Sequence, residues 1–277
     1  MAPNEAQQCC TRENNVFCIN NFTFFANFDS GNLARVDQEK SSSSSDFSFT
    51  TWTRPDCYGT EFEKRSRSWF FFGLAGVPPE SSLQITVRDL NPLNQLFSLG
   101  MQPVWRVGEE GVWSRVGRTD HVMKEEIFSI TFSVTTPSVK KAKALYFALT
   151  TPYTYTYLQS HLNSLQHQHG GCEGKIYFCR EMVANSLEGR RLDLLTISST
   201  CGILSSREQW PSSVTMQKVE DEKEERLHRF SGKRVIFVSS RVHPGETCSS
   251  FVMDGFLRWS TRINYVNDLL LLKVHPG

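Results

Sequence analysis

Long apolar runs are missing from this 277-residue sequence. No stretch approaches the roughly 20 apolar residues that a membrane-crossing helix needs, which excludes a helical span. Between Met1 and Cys10 there is no basic segment followed by an apolar one. No secretory leader is read there, and a cytosolic or nucleocytoplasmic location is expected. An excess of either charge is also missing, since 30 Lys and Arg stand against 29 Asp and Glu. A net charge of +1 gives no global field for nucleic acid or an anionic membrane, so neither is expected as a partner. The cysteines, at positions 9, 10, 18, 57, 172, 179, 201 and 248, form no C-x-x-C pair and no dense framework. In a reducing compartment they are expected as free thiols.

What is present is enough to build a core, with 39% hydrophobic and 12% aromatic residues. Residues 1–20 are polar and expected to fray, and Ser41 to Ser45 is a low-complexity loop. Phe47 to Trp52, Leu83 to Val87 and Ile127 to Val134 alternate at period two, while Trp69 to Leu74 and Ala144 to Leu149 are continuous apolar runs of strand length. Turns at Gly76-Val77-Pro78-Pro79, Asn91-Pro92 and Gly108 to Gly111 punctuate them. Residues 21–150 therefore read as an antiparallel β-sandwich with no visible chemistry.

The pattern changes after Pro152, where residues 151–277 read as a second, α/β domain. Tyr155, Leu158, Leu162 and Leu165 follow a possible Thr154 cap and precede Gly170-Gly171, which predicts an amphipathic helix. Lys175 to Val183 and Arg191 to Ser198 look like two strands joined in a hairpin-like turn. Residues 205–230 form a charged insert, expected as a solvated loop or an exposed helix. Val235 to Ser239 then reads as a strand, Ser249 to Trp259 as a helix and Leu269 to Val274 as a buried strand. That order predicts a parallel crossover. The helix is expected to bury Phe251, Val252, Phe256 and Trp259, with Gly255 permitting close approach to the sheet.

His243 and Glu246 fall on the loop between that strand and that helix. An imidazole and a carboxylate three residues apart can share one zinc ion, with a further histidine and water completing an open tetrahedral site. Pro244 fixes φ and Gly245 permits a sharp turn, so the two side chains can be aimed together. The spacing alone is a pattern that chance supplies, and the bland alternative is a helix-capping Glu beside a loop His. His161, His167 and His169 are read as surface residues of the first helix. His275, in a second Val-His-Pro-Gly, is a weak candidate for a third ligand because its terminal position gives it no fixed backbone.

The segment Arg241-Val242-His243-Pro244-Gly245-Glu246-Thr247, with Ser250, Phe251 and Gly255-Phe256-Leu257 behind it, resembles the zinc-binding segment of the cytosolic carboxypeptidases. Pro152 to Tyr155 and Arg191 to Ile197 resemble the opening helix and second strand of that family's catalytic domain. Phe28 to Ala34, Trp52 to Cys57, Thr60 to Glu63 and Arg67 to Phe70 are most similar to its type-5 branch. The resemblance implies a zinc metallocarboxypeptidase that trims glutamates, branch-point glutamates included, from polyglutamylated tubulin and other protein tails. It also implies that His243 and Glu246 are two of three protein zinc ligands. By the same resemblance the third histidine, the base glutamate and a substrate-binding arginine are expected beyond Gly277. The activity is then expected to reside in a longer parent chain, in the cytoplasm, with the nucleus and microtubules as further locations. The 277-residue chain alone is expected to be inactive and to hold zinc weakly. The alternative is a truncated, non-catalytic isoform that binds tubulin or another partner.

Overall fold

The structure, a computed structural model, describes residues 10–11, 15–39, 46–138, 144–170, 176–209, 226–261 and 269–274. Ser41 to Ser45, the charged run Lys218 to Glu225 and His275 lie outside the described residues. The chain divides into two compact units, Met1–Pro152 and Tyr153–Gly277.

The first unit opens with β1 (Cys10–Thr11), β2 (Val16–Ile19), β3 (Phe22–Phe25), β4 (Arg35–Gln38), β5 (Asp46–Trp52) and β6 (Phe71–Ala75). It continues with β7 (Ser82–Leu90), the short helix α1 (Asn94–Ser98), β8 (Val104–Val107) and β9 (Ser114–Arg115). The last strands are β10 (Thr119–Lys124), β11 (Ile127–Thr135) and β12 (Leu145–Ala148). They form two sheets, in the orders β1-β2-β3-β6-β12-β8-β9 and β10-β11-β7-β5-β4.

Alternation in sequence becomes one-sided burial. Leu83, Ile85 and Val87 of β7 point into the core together with Phe128, Ile130 and Phe132 of β11, while Gln84 and Arg88 face out. The two sheets meet through aromatic rings: Phe24 to Phe49 at 4.9 Å, Phe22 to Phe49 at 5.1 Å and Phe132 to Phe147 at 5.9 Å between centroids. Continuous apolar runs mark strands covered on both faces. Phe72 and Phe147 face the shared core, whereas Phe71 meets Phe28 and Trp113 on the far side at 4.6 and 5.7 Å. Gly73 is required there, because a Cβ would stand 2.3 Å from the Phe25 ring that lies across the strand. Asn32 holds the neighbouring loops together: its amide nitrogen donates to the Arg54 and Trp69 carbonyls, and its amide oxygen accepts the Arg54 N–H.

One pairing departs from the wholly antiparallel expectation. β5 and β7 run parallel, with Asp46 opposite Ser82 and Trp52 opposite Arg88. A parallel pair needs a crossover, and the intervening segment supplies it by passing through β6 in the other sheet.

The second unit contains α2 (Tyr155–His169), β13 (Ile176–Asn185), β14 (Arg191–Ser199), β15 (Ile203–Arg207), β16 (His228–Phe230), β17 (Val235–Ser240), α3 (Thr247–Ser260) and β18 (Leu269–Val274). Its main sheet has the order β13-β14-β18-β17. β17 and β18 are parallel across α3, and β18 is antiparallel to β14. The Thr154 hydroxyl accepts the Tyr157 N–H at 3.2 Å and starts α2. Leu158, Leu162 and Leu165 of α2 join Met253 and Leu257 of α3 over Phe178, Leu195 and Ile197 of the sheet.

The inward face of α3 matches the expected one only at Phe256, which packs partly buried against the core. Thr247, Ser250, Met253, Asp254, Leu257 and Ser260 are buried, while Phe251, Val252 and Trp259 are exposed and nothing approaches Gly255. The helix turns a mixed polar and apolar stripe inward at positions 250, 253, 254, 257 and 260, where Asp254 accepts from Arg258 Nε and the Ser260 hydroxyl donates to the Leu257 carbonyl.

This unit also buries charge. Arg180 Nε and Nη2 donate to the two oxygens of Asp193 at 2.8 and 3.0 Å, with Gln159, Asn163 and Arg191 completing the cluster. Burial alone would push the Asp193 carboxyl up, but hydrogen bonds from Arg180, Arg191 and Gln159 outweigh it and hold the group below its ordinary value. The C-terminal end of the charged insert is tied down in the same manner. Glu181 accepts from Arg226 at 2.7 Å and from the Leu227 N–H at 3.2 Å, and the Tyr177 hydroxyl accepts the His228 N–H at 2.9 Å.

Candidate metal centre

β17 ends at Ser240, and the chain turns at Arg241, which takes a left-handed φ of 57° without being glycine. Its backbone N–H donates to Ser249 Oγ at 3.0 Å, and Ser249 Oγ donates to the Glu246 carbonyl at 2.8 Å. The Arg241 residue is only 7% exposed. Its Nε and Nη2 both donate to the Pro244 carbonyl, at 2.9 and 2.8 Å, and Nη1 donates to the Tyr153 carbonyl at 3.0 Å. Burial pushes this guanidinium below its ordinary pKa, though an arginine keeps its proton.

Above this clamp the Glu246 N–H donates to the His243 carbonyl at 3.2 Å, closing a turn that brings the two side chains together. His243 Nδ1 lies 3.0 Å from Glu246 Oε2, with the side chains 72% and 58% exposed. Glu246 is the N-cap residue of α3 but makes no side-chain cap hydrogen bond. Its carboxylate is directed at the imidazole and not at the helix N–H groups.

The donor set fits one zinc ion in part. Imidazole nitrogen and carboxylate oxygen at ordinary zinc distances stand about 3.4 Å apart in a tetrahedral site, close to the observed separation. Among the described residues no group of three or more His, Cys, Asp or Glu converges on a metal position. The third candidate, His275, is outside the described residues.

His161 departs from its surface assignment. Its side chain is 9% exposed and its Nε2 touches Asp254 Oδ1 at 2.8 Å, close enough for an ion pair but without hydrogen-bond alignment. Asp254 also accepts from Arg258 Nε at 3.0 Å, and the His161 ring stacks on Tyr157. Burial and the Arg258 charge lower the His161 pKa against the opposing pull of Asp254. Sequence reading missed this pair and the Arg241 clamp alike. The signal for the pair was the polar stripe on α3, and an arginine beginning a turn carried no signal for the clamp.

The fold has known counterparts. A metallo-carboxypeptidase from Pseudomonas aeruginosa, solved in complex with (2-guanidinoethylmercapto)succinic acid, matches 91% of this chain and 54% of its own at a TM-score of 0.53 and 19% identity. A metallo-carboxypeptidase from Burkholderia cenocepacia matches 92% of this chain and 56% of its own at 0.56 and 16%. These likenesses define the class of fold: a strand-rich chain with few helices that resembles metallo-carboxypeptidases.

Residues 24–148 match the cytosolic carboxypeptidase N-terminal domain. Cytosolic carboxypeptidase-like protein 5 from Danio rerio is 39% identical over 265 residues, covering 87% of this chain and 29% of the relative. The Homo sapiens protein of the same name is 37% identical over 267 residues, covering 86% and 30%. Cytosolic carboxypeptidase 6 from Mus musculus is 32% identical over 242 residues, covering 85% and 37%. The chain belongs to the cytosolic carboxypeptidase family. It spans about 30% of the length of the type-5 relatives it matches. Membership implies a metal-ion cofactor. Among the described residues no helix is long and apolar enough to cross a membrane.

Proposed function

We propose that this chain is part of a zinc metallocarboxypeptidase that removes glutamates, including branch-point glutamates, from polyglutamylated tubulin and other glutamylated tails. In this reading the first unit is the family's β-sandwich and the second is the opening part of the α/β catalytic domain. The observation that carries the reading is the convergence of His243 Nδ1 and Glu246 Oε2 to 3.0 Å, with Glu246 withheld from capping its own helix. His243 and Glu246 would hold the zinc. The N-terminus of α3 favours the ionised form of Glu246, the form a metal requires. Zinc, when bound, acidifies a water and polarises the scissile carbonyl. The loop's exposure leaves room above the pair for a substrate and for further donors. A third histidine, the base glutamate and a substrate-binding arginine come from the rest of a longer parent chain, which acts in the cytoplasm and in the nucleus or on microtubules.

The test is glutamate release from a branched polyglutamylated peptide. The longer parent should be active and should lose activity on His243→Ala or Glu246→Gln, whereas the 277-residue chain should release none. A fully active His243→Ala parent would overturn the assignment.

A second reading follows from the absence of a third donor among the described residues: a non-catalytic binder of tubulin or of the full enzyme. Capture of tubulin by the 277-residue chain together with an inactive parent would favour it.

A further inference from the structure

We infer that Arg241 is a positioning residue that shapes the His243–Glu246 loop into its ligand geometry before any metal arrives. The inference rests on the zinc reading given above. A flexible loop carrying two exposed ligands would spend binding free energy on ordering, and the cost falls when the loop is held beforehand. Here the holding is done from beneath, by a buried group that touches neither ligand side chain. Two guanidinium N–H groups converge on the Pro244 carbonyl, at the residue between His243 and Gly245, and a third ties the same group to Tyr153 just ahead of α2. At the far end of the loop Ser249 Oγ accepts the Arg241 N–H and donates to the Glu246 carbonyl, so one arginine is linked to both halves of the turn. The left-handed φ of 57° at Arg241 is retained within this set of bonds. A lysine keeps the charge but cannot span the Pro244 and Tyr153 carbonyls with the same planar fork.

The experiment is a zinc titration of the purified 277-residue chain, read from the His243 imidazole resonances, with thermal unfolding recorded for each variant. Arg241→Lys should remain folded and bind zinc about 10- to 100-fold more weakly, the usual consequence of losing a group that orients a metal ligand. Ser249→Ala, which removes the other anchor, should weaken binding in the same direction, and it serves as the readout if Arg241→Lys does not fold. His243→Ala should abolish the response, followed then through Glu246. A merely structural role for Arg241 would lower the unfolding temperature while leaving zinc affinity of the folded protein unchanged, and that result overturns the inference. If His243→Ala binds zinc as well as the unaltered chain, the metal reading itself fails, and the inference with it.

Discussion

The two units reach a stable interior by different means. In the first, phenylalanines from both sheets interlock, with Phe24, Phe49, Phe72, Phe128, Phe132 and Phe147 fully buried. In the second the apolar core is leaner, and Arg180, Glu181, Asp193, Arg241 and Asp254 are buried beside it. The second unit also leaves Val235, Ile236 and Phe237 of β17 exposed, at one edge of its described sheet. Hydrophobic burial is non-directional and needs only shape, whereas buried charge demands fixed partners. A unit that builds with the second kind of interaction can hold a loop in one conformation at its surface, which is what a ligand pair requires.

The sharpest way to break the contrast is to hollow the aromatic core. Phe72→Ala should cost about 4 kcal/mol of folding stability, measured by denaturant unfolding. Next comes the charge cluster, where Asp193→Ala should cost about 3 kcal/mol because Arg180 would be left buried and unpaired. The sign with pH follows from the depressed carboxyl of Asp193: its contribution is present above the unfolded value near 4 and is lost as pH falls through the lower folded value. Acid titration of unfolding should show that loss in the unaltered chain and not in Asp193→Ala. Thr154→Ala removes the cap of α2 and should cost about 1 kcal/mol.

His161 runs in the opposite direction to a stabilised cation. Since its folded pKa is lowered, its destabilising effect is absent above the ordinary value near 6.5 and grows as pH falls below it, when the unfolded chain takes up the proton first. The groups facing it are Asp254, Arg258 and Tyr157. His161→Gln should flatten stability between neutral and mildly acidic pH, and an unchanged slope would remove His161 from the account. The smallest stability effect belongs to the exposed pair, for His243→Ala should change unfolding by less than about 1 kcal/mol while removing zinc binding.

Much of this was legible in the residues because periodicity reports burial. Strands such as β7 and β11, and the α2 helix with its Thr154 cap, follow directly from it, and the His243–Glu246 spacing sits on the loop where the pattern placed it. The stripe of α3 did not follow, because an apolar-only reading selects Phe251 and Trp259 and passes over Ser250 and Asp254, and the His161 that Asp254 meets lies far away in sequence. The parallel partnership of β5 and β7 was hidden for a related reason, since alternation fixes the face of a strand and says nothing of its direction. Arg241 was visible as a letter in a familiar segment, but its work depends on two carbonyl oxygens, and carbonyls have no signature in sequence.

The threading of the first unit has a consequence for its synthesis. β6 lies between β5 and β7 in sequence but in the opposite sheet, and β12, the last strand of the unit, sits in the middle of its sheet between β6 and β8. Neither sheet can be zipped up hairpin by hairpin as the polypeptide leaves the ribosome. The larger one cannot close until Ala148 has emerged, so the edges of β6 and β8 that β12 joins stay unpaired until that last strand enters between them.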